Sequence, residues 1–191
     1  MKFYINRLIF IIILSSISNI SLSHEFWIDP KNYHLSNDEK AIANIFIGEK
    51  FEGSPIPFTK EYFKISFLHS KDGKSKIKGR LGDIPALNIK KMSKGLNVIQ
   101  IESVTKYVEY EKLVKFEIFT REKGYPNLAQ KHKENNYPDN FFESYKRYAK
   151  SLISLDNFNG SDVDTNMELE LIFLDNPLVN LNESKRILLE Y

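Results

Sequence analysis

The sequence predicts a mainly β protein, an antiparallel β-sandwich with a short helical insertion. In several segments apolar residues alternate with polar ones, as expected for strands with one buried face. Turn-forming pairs such as Asp72-Gly73, Lys94-Gly95 and Asn159-Gly160 separate these segments. Helical spacing is confined to one stretch of the chain. Short strands with turns at such intervals are typical of a sandwich.

The strand segments follow in chain order. Alternation with a period of two is formed by Ala41, Ala43, Ile45 and Ile47, by Phe63, Ile65 and Phe67, and by Met167, Leu169, Leu171 and Phe173. In the last segment Glu168 and Glu170 share the opposite face, which we expect to point to water. Leu96 to Ser103 predicts a further strand, and Lys106 to Tyr110 predicts a short one.

A helical insertion is predicted over about residues 111–140. Leu113, Phe116 and Thr120, and then Leu128 and His132, follow helical spacing, and Gly124 and Pro126 divide the stretch into two short helices. The following residues, Phe141 to Leu155, have ring spacing that fits a helix and β-branched content that fits a strand. We expect a helix turn that leads into a strand near Tyr145.

The first 23 residues have the three parts of a signal peptide in the right order. Lys2 and Arg7 give a positive start, Leu8 to Leu14 forms an apolar core, and Ser21 and Ser23 are the small residues before the predicted cut. No later segment approaches the roughly 20 apolar residues of a membrane-spanning helix. With no cysteine and therefore no disulfide framework, the sequence favours a soluble protein of a bacterial periplasm.

The net charge of the predicted mature chain gives no indication of binding to polyanions. The leader takes Lys2 and Arg7 with it, so the 27 Lys and Arg residues fall by two and equal the 25 Asp and Glu residues. A neutral chain without a basic stripe gives no reason to expect binding to nucleic acid or anionic lipid.

His24 is the first residue of the predicted mature chain. Its α-amine and imidazole Nδ1 can close a six-membered chelate ring on a transition metal such as Cu(II) or Ni(II). A third ligand is required. The candidates are the histidines His34, His69 and His132 and the oxygen donors Glu25, Asp29 and Glu61. The alternative is that the leader merely ends here, and that His24 to Trp27 forms a first strand with Phe26 and Trp27 packed inside.

A second group of residues combines rings and cations. Tyr145, Arg147, Tyr148 and Lys150, with Trp27, are candidates for a binding face in which cationic side chains lie beside aromatic rings. In the alternative, Trp27 is a core anchor, the tyrosine rings pack inward and the cations stay in solvent.

Catalytic motifs are missing from the sequence. It has no Gly-x-Ser-x-Gly elbow, no phosphate loop, no His-Glu-x-x-His and no cysteine nucleophile. We therefore expect a protein that is not an enzyme.

Four segments resemble a known family. They are His24-Glu25-Phe26-Trp27 after the leader, the Leu113 to Gly124 helix ending in Arg121-Glu122-Lys123-Gly124, the block Glu143 to Lys150, and Leu169 to Pro177 with its Asn176-Pro177 turn. This combination resembles a family of uncharacterised periplasmic proteins commonly described as the periplasmic component of nickel or cobalt uptake. The resemblance implies an immunoglobulin-like β fold and a role in metal acquisition.

These observations predict a domain organisation. We expect residues 1–23 to be the signal peptide and residues 24–180 to be the β-sandwich domain with its insertion. The resemblance implies that residues 181–191 are the start of a truncated second β domain, whose first strand is Arg186 to Tyr191.

Two functional hypotheses follow. In the first, the protein binds Ni(II), Co(II) or Cu(II) in the periplasm and passes the ion to a metal transporter in the inner membrane. In the second, it is an immunoglobulin-like envelope module that binds a protein or is structural, and it uses no metal.

Overall fold

The computed structural model describes residues 24–191, so the predicted signal peptide at residues 1–23 lies outside the described residues. The described strands are β1 (Glu25–Pro30), β2 (His34–Leu35), β3 (Ala41–Glu49), β4 (Glu52–Ile56), β5 (Ile65–Ser70), β6 (Gly73–Lys76), β7 (Leu87–Ile89), β8 (Gly95–Glu102), β9 (Lys106–Tyr110), β10 (Phe141–Tyr145), β11 (Tyr148–Leu155), β12 (Glu170–Phe173) and β13 (Ile187–Glu190). The described helices are α1 (Leu113–Glu122) and α2 (Leu128–Glu134). The protein is mainly β with two short helices at the predicted place.

The strands form two larger sheets and two ribbons. In the four-stranded sheet, β3 pairs with β1 on one edge and with both β4 and β7 on the other. In the five-stranded sheet the order is β2-β11-β8-β5-β6, and every pair is antiparallel except β2 with β11. The ribbons are β9 with β10 and β12 with β13.

The main core takes side chains from both larger sheets. Ile45 and Leu87 of the four-stranded sheet and Ile99, Ile101 and Ile153 of the five-stranded sheet are fully buried in one apolar cluster. Burial of a side chain of this size contributes about 1.5–3 kcal/mol relative to leaving it in water. The strict alternation of strand residues explains why only every second position of β8 and β11 enters this cluster.

The other positions of β8, β11 and β5 form the second face of the five-stranded sheet. The register places Gln100 between Lys150 and Phe67, and Val98 between Leu152 and His69. One half of this face is apolar, because Leu96, Val98 and Leu152 pack with Phe173 and Leu178 of the C-terminal segment. The other half is polar and is described below.

The chain divides into two compact units, residues 109–143 and the remainder of the described chain. The smaller unit has its own aromatic cluster, in which the Tyr110 ring lies 5.2 Å from both Phe116 and Phe141, measured between centroids. Burial and a hydrogen bond to Glu143 raise the pKa of Tyr110. Neither helix has a side-chain hydrogen bond at its N-cap. The aromatic rings of Phe116 and Phe119 therefore contribute packing to a helix that has no side-chain N-cap.

The helix turn predicted after Phe141 is wrong. This stretch forms two strands, β10 and β11, and β11 pairs with β8 over eight residue pairs from Tyr148↔Glu102 to Leu155↔Gly95. The sheet is covered on both faces, and β11 contributes side chains to each. Ala149, Ser151 and Ile153 lie on one face, and Lys150 and Leu152 lie on the other.

The strand predicted at residues 167–173 is shorter and has the opposite phase. Glu170 is 3% exposed, whereas Leu169 and Leu171 are 52% and 53% exposed. A buried cation partner for Glu170 explains the reversal, because a paired carboxylate can be buried where an unpaired one cannot. β13 pairs with this strand, with Leu171 opposite Leu189.

Within residues 24–191, none of the helices has the length and the apolar character that a crossing of the membrane requires.

Candidate functional site

His24 lies at the start of β1 and is exposed. Its backbone carbonyl accepts a hydrogen bond of 2.8 Å from Nη1 of Arg147. Among the histidines of the described residues, it is the one whose ring makes no hydrogen bond or ring contact. The backbone of this residue is therefore held while its ring remains accessible.

His34 and His69 have partners of their own in the five-stranded sheet. Nδ1 of His34 lies 2.8 Å from Oγ of Ser154, and the ring stacks on Phe158 at 4.4 Å. Nε2 of His69 lies 2.8 Å from Oε1 of Gln100. Strands β11 and β8 separate the two histidines, so at about 4.8 Å per strand their backbones are roughly 14 Å apart across the sheet. A single ion cannot be bound by both.

His132 lies in the smaller unit, on α2. Its Nε2 is 2.8 Å from the carbonyl oxygen of Pro138, and its ring centroid is 4.3 Å from that of Phe141 and 5.3 Å from that of Tyr137. These contacts make it a member of the aromatic cluster. Within residues 24–191, no three His, Asp or Glu side chains come together as a group that could hold a metal ion.

Trp27 lies on the face of β1 opposite to the core. Its ring stacks on Phe46 at 5.3 Å and meets the edge of Phe51 at 5.6 Å, and Phe51 is 76% exposed. Phe26, its neighbour in sequence, packs against the main core instead. The expectation that both rings point inward is wrong, because adjacent residues of a strand point to opposite faces.

The remaining members of the predicted binding face lie in different environments. Arg147 lies 5.0 Å over the ring of Tyr145, and its backbone N–H and carbonyl both bond to Ser103. Its Nε is buried and has no hydrogen-bond partner among the described residues. The hydroxyl of Tyr148 donates to Glu168 at 2.7 Å. The pKa of Tyr148 is raised, mainly because the hydroxyl is partly buried and secondly because of this hydrogen bond.

Lys150 is not in solvent, contrary to the expectation for these cations. Its side chain is 9% exposed, and its Nζ lies 2.8 Å from Asp162 and 2.5 Å from Glu170, whose side chains are 0% and 1% exposed. Nζ also donates to the carbonyl oxygens of Val163 and Leu171. The two carboxylates and this ammonium attach the segment before β12 to the outer face of β11.

A chain of hydrogen bonds continues this buried polar cluster across the sheet. Thr165 donates to Glu170 through both its backbone N–H and its hydroxyl. Gln100 donates through Nε2 to the carbonyl of Thr165 and to Glu102, and its Oε1 accepts a hydrogen bond from Nε2 of His69. His69 is thereby connected to Lys150.

A model of a protein family matches most of the chain. The model is described as "Domain of unknown function (DUF4198)" and matches residues 21–186. The chain belongs to this family. No curated protein and no solved structure matches it. The match begins just before His24 and includes both the N-terminal strand and the Lys150 cluster, so these features lie inside the family's domain.

Sequence reasoning missed Asp162, Glu170 and Thr165. Asp162 and Thr165 lie in an irregular stretch between β11 and β12, where no period predicts the direction of a side chain. Glu170 interrupts an apolar alternation, which is the usual sign of a solvent face. The available signal was Lys150, the single charged residue in the run from Ala149 to Leu155, whose other members are small or apolar.

Proposed function

We propose that the mature protein is a periplasmic metal-handling protein that binds Ni(II), Co(II) or Cu(II) and passes the ion to a transporter in the inner membrane, without catalysis. The observation that carries this proposal is His24, which directly follows the predicted cleavage site and has an accessible ring. The resemblance to proteins described as components of nickel or cobalt uptake supports the choice of ion. A signal peptide at residues 1–23 supports the periplasmic location.

The proposed fold is an immunoglobulin-like β-sandwich. Its support is the single apolar cluster to which both larger sheets contribute, together with strands of two to nine residues joined by turns. His24 directly precedes β1, which pairs with β3 in the four-stranded sheet.

The donor atoms at His24 fit a transition metal better than a hard cation. An amine and an imidazole are nitrogen ligands, which suit Ni(II) and Cu(II) in tetragonal geometry, whereas Ca²⁺ and Mg²⁺ prefer oxygen. When bound, the ion would take its remaining ligands from water or from the receiving transporter, and exchangeable ligands favour transfer over storage.

Arg147 contributes to this proposed site by holding the backbone of His24. Its Nη1 bonds to the carbonyl of the same residue that carries the two nitrogens. A fixed carbonyl restricts the rotation of the terminal residue, so less conformational entropy is lost when the chelate ring closes.

Titration calorimetry of the exported protein with Ni(II), Co(II) and Cu(II) tests the proposal. We expect His24→Ala, or acetylation of the new α-amine, to weaken binding by at least about 100-fold, because changes even outside the coordination sphere cost about 10–100-fold. His34→Ala, which removes an exposed histidine with a partner of its own, serves as the control and is expected to retain the affinity.

Two results would overturn the proposal. One is an affinity that is equal in the wild type and in His24→Ala. The other is the absence of binding heat for all three ions in protein whose N-terminal residue is shown to be His24, which would favour the envelope module without metal.

A further inference from the structure

Lys150, Asp162 and Glu170 bring a nucleophile, an electrophile and a base together in a largely buried site. The amine nitrogen of Lys150 contacts one oxygen of each carboxylate, at 2.8 Å for Asp162 Oδ1 and 2.5 Å for Glu170 Oε1. The carboxylate side chains are 0% and 1% exposed. The proposed metal-handling function uses none of these three groups.

The two carboxylates differ in their surroundings. Glu170 accepts from the backbone N–H of Thr165 and of Met167 and from the Thr165 hydroxyl, so its orientation is fixed from three directions. Besides its contact with Lys150, Asp162 accepts hydrogen bonds from two backbone N–H groups, from Val163 at Oδ1 and from Phe173 at Oδ2. Backbone donors directed at a carboxyl group stabilise the oxyanion that forms when its carbon is attacked.

The site contains one cation and two carboxylates, so a negative charge remains after pairing. Desolvation of buried ions is costly, and the attraction between partners often does not repay it. Formation of an amide removes one positive and one negative charge from the interior. The water molecule that is released must leave the site, and the burial of the two carboxylate side chains limits its return for the reverse reaction, hydrolysis. Proximity of the fixed groups replaces the external activation that an intermolecular amide would need.

We propose that Lys150 and Asp162 condense in the folded protein to form an internal amide cross-link, with Glu170 as the proton carrier. Glu170 takes one proton from the ammonium and delivers it to Oδ1 of Asp162. The nitrogen lone pair then forms the bond from Nζ to Cγ, and Glu170 moves a second proton to Oδ1. The bond from Cγ to Oδ1 breaks and this oxygen leaves as water. One proton stays on the amide nitrogen, Oδ2 becomes the amide oxygen, and no electrons are gained or lost.

The mass of the intact exported protein is the first test. The cross-linked chain is lighter than the sequence mass by one water molecule, and the difference should persist after complete unfolding. Unchanged mass in folded wild-type protein, after prolonged incubation at neutral pH, overturns the proposal. This measurement needs no variant and does not depend on whether His24 binds a metal.

Peptide mapping distinguishes the cross-link from a succinimide, which also forms by loss of water at an aspartate. Trypsin cannot cleave after an acylated Lys150, and no Lys or Arg lies between it and Lys185, so we expect one peptide from Tyr148 to Lys185 that lacks one water. Cleavage before Asp156 must leave its two parts joined. Separation of the parts, or normal cleavage after Lys150, contradicts the proposal.

Two variants assign the roles. Lys150→Arg should have its full sequence mass, because a guanidinium does not condense. Glu170→Gln retains both reacting groups and a side chain of the same shape, and we expect it to have full mass with a native circular dichroism spectrum. A cross-link that forms at an unchanged rate in Glu170→Gln would overturn the assignment of Glu170 as the proton carrier.

Discussion

The two faces of the five-stranded sheet are stabilised in different ways by alternate residues of the same strands. On the inner face Ile99, Ile101 and Ile153 are fully buried in the main apolar cluster. On the outer face Gln100 and Lys150 are directly beside each other in the register and make hydrogen bonds and ion pairs. The same strand thus contributes non-directional apolar packing on one face and directional hydrogen bonds and ion pairs on the other.

This difference determines how each face responds to change. An apolar face loses free energy roughly in proportion to the volume removed, and similar shapes can replace one another. On a buried polar face every group needs a hydrogen-bond or ion-pair partner. If one group is removed, its former partners stay buried without a partner and cannot bond to water instead. Substitutions on the two faces are therefore expected to change the free energy of unfolding in different ways.

The largest effect is expected from Lys150→Met. The comparison is with wild-type protein in which Lys150 and Asp162 have not condensed. The new side chain is of similar length, but it leaves Asp162 and Glu170 buried without a cation, and removal of one partner of a buried ion pair costs about 3–5 kcal/mol. The free energy of unfolding from urea titrations measures this loss. Asp162→Asn and Glu170→Gln, added together to Lys150→Met, should restore part of the stability, because they remove the unpaired charges.

Lys146→Met is the matched control for Lys150→Met. Lys146 pairs with Glu168, whose side chain is 70% exposed, and exposed ion pairs contribute little to stability. Similar losses for the two variants would show that the buried cluster is no more important for stability than a surface pair.

A smaller effect is expected on the inner face from Ile153→Ala. The change removes three carbons from a site that is 0% exposed, and large-to-small changes of this type cost about 2–5 kcal/mol, so we expect about 3 kcal/mol. Ile153→Val removes one methylene and should cost about 1 kcal/mol. If the two variants differ little, packing on this face does not follow volume, and the contrast between the faces fails.

The strands of the main core could be predicted from the sequence only in part, and the polar cluster on the outer face could not. The alternation of Ala41, Ala43 and Ile45 marks β3 of the four-stranded sheet as half-buried, because period two is a local property of strands. In β5 the predicted phase is wrong, because Leu68 and not Phe67 enters the main core. The two helices follow from spacing in the same way. Lys150 instead depends on Asp162 and Glu170, which are contributed by a loop and a later strand. No local period contains that information.

The same reason explains the errors near the candidate sites. β11 was ambiguous because a strand covered on both faces has no clean alternation, and only its eight pairs with β8 decide it. Glu170 looked like a solvent-facing residue because charge is a good local sign of exposure, which a distant cation reverses. The place of His24 beside Arg147 likewise joins two residues that are far apart in sequence.

The smallest effect is expected from Glu168→Gln, at the exposed rim of the polar face. Hydrogen bonds from Lys146 and then from Tyr148 lower the pKa of Glu168 below its ordinary 4.5. A lowered pKa means that the charged form is favoured in the folded state, so its contribution is complete above the ordinary value and is lost as the pH falls through the lowered one. The stability difference between wild type and Glu168→Gln should therefore be present at neutral pH and vanish in acid.

In the Lys146→Met background the difference should be smaller, because only Tyr148 remains as a donor. A difference that stays constant from neutral to acid pH would show that the rim contributes through shape, as the inner face does, and not through charge.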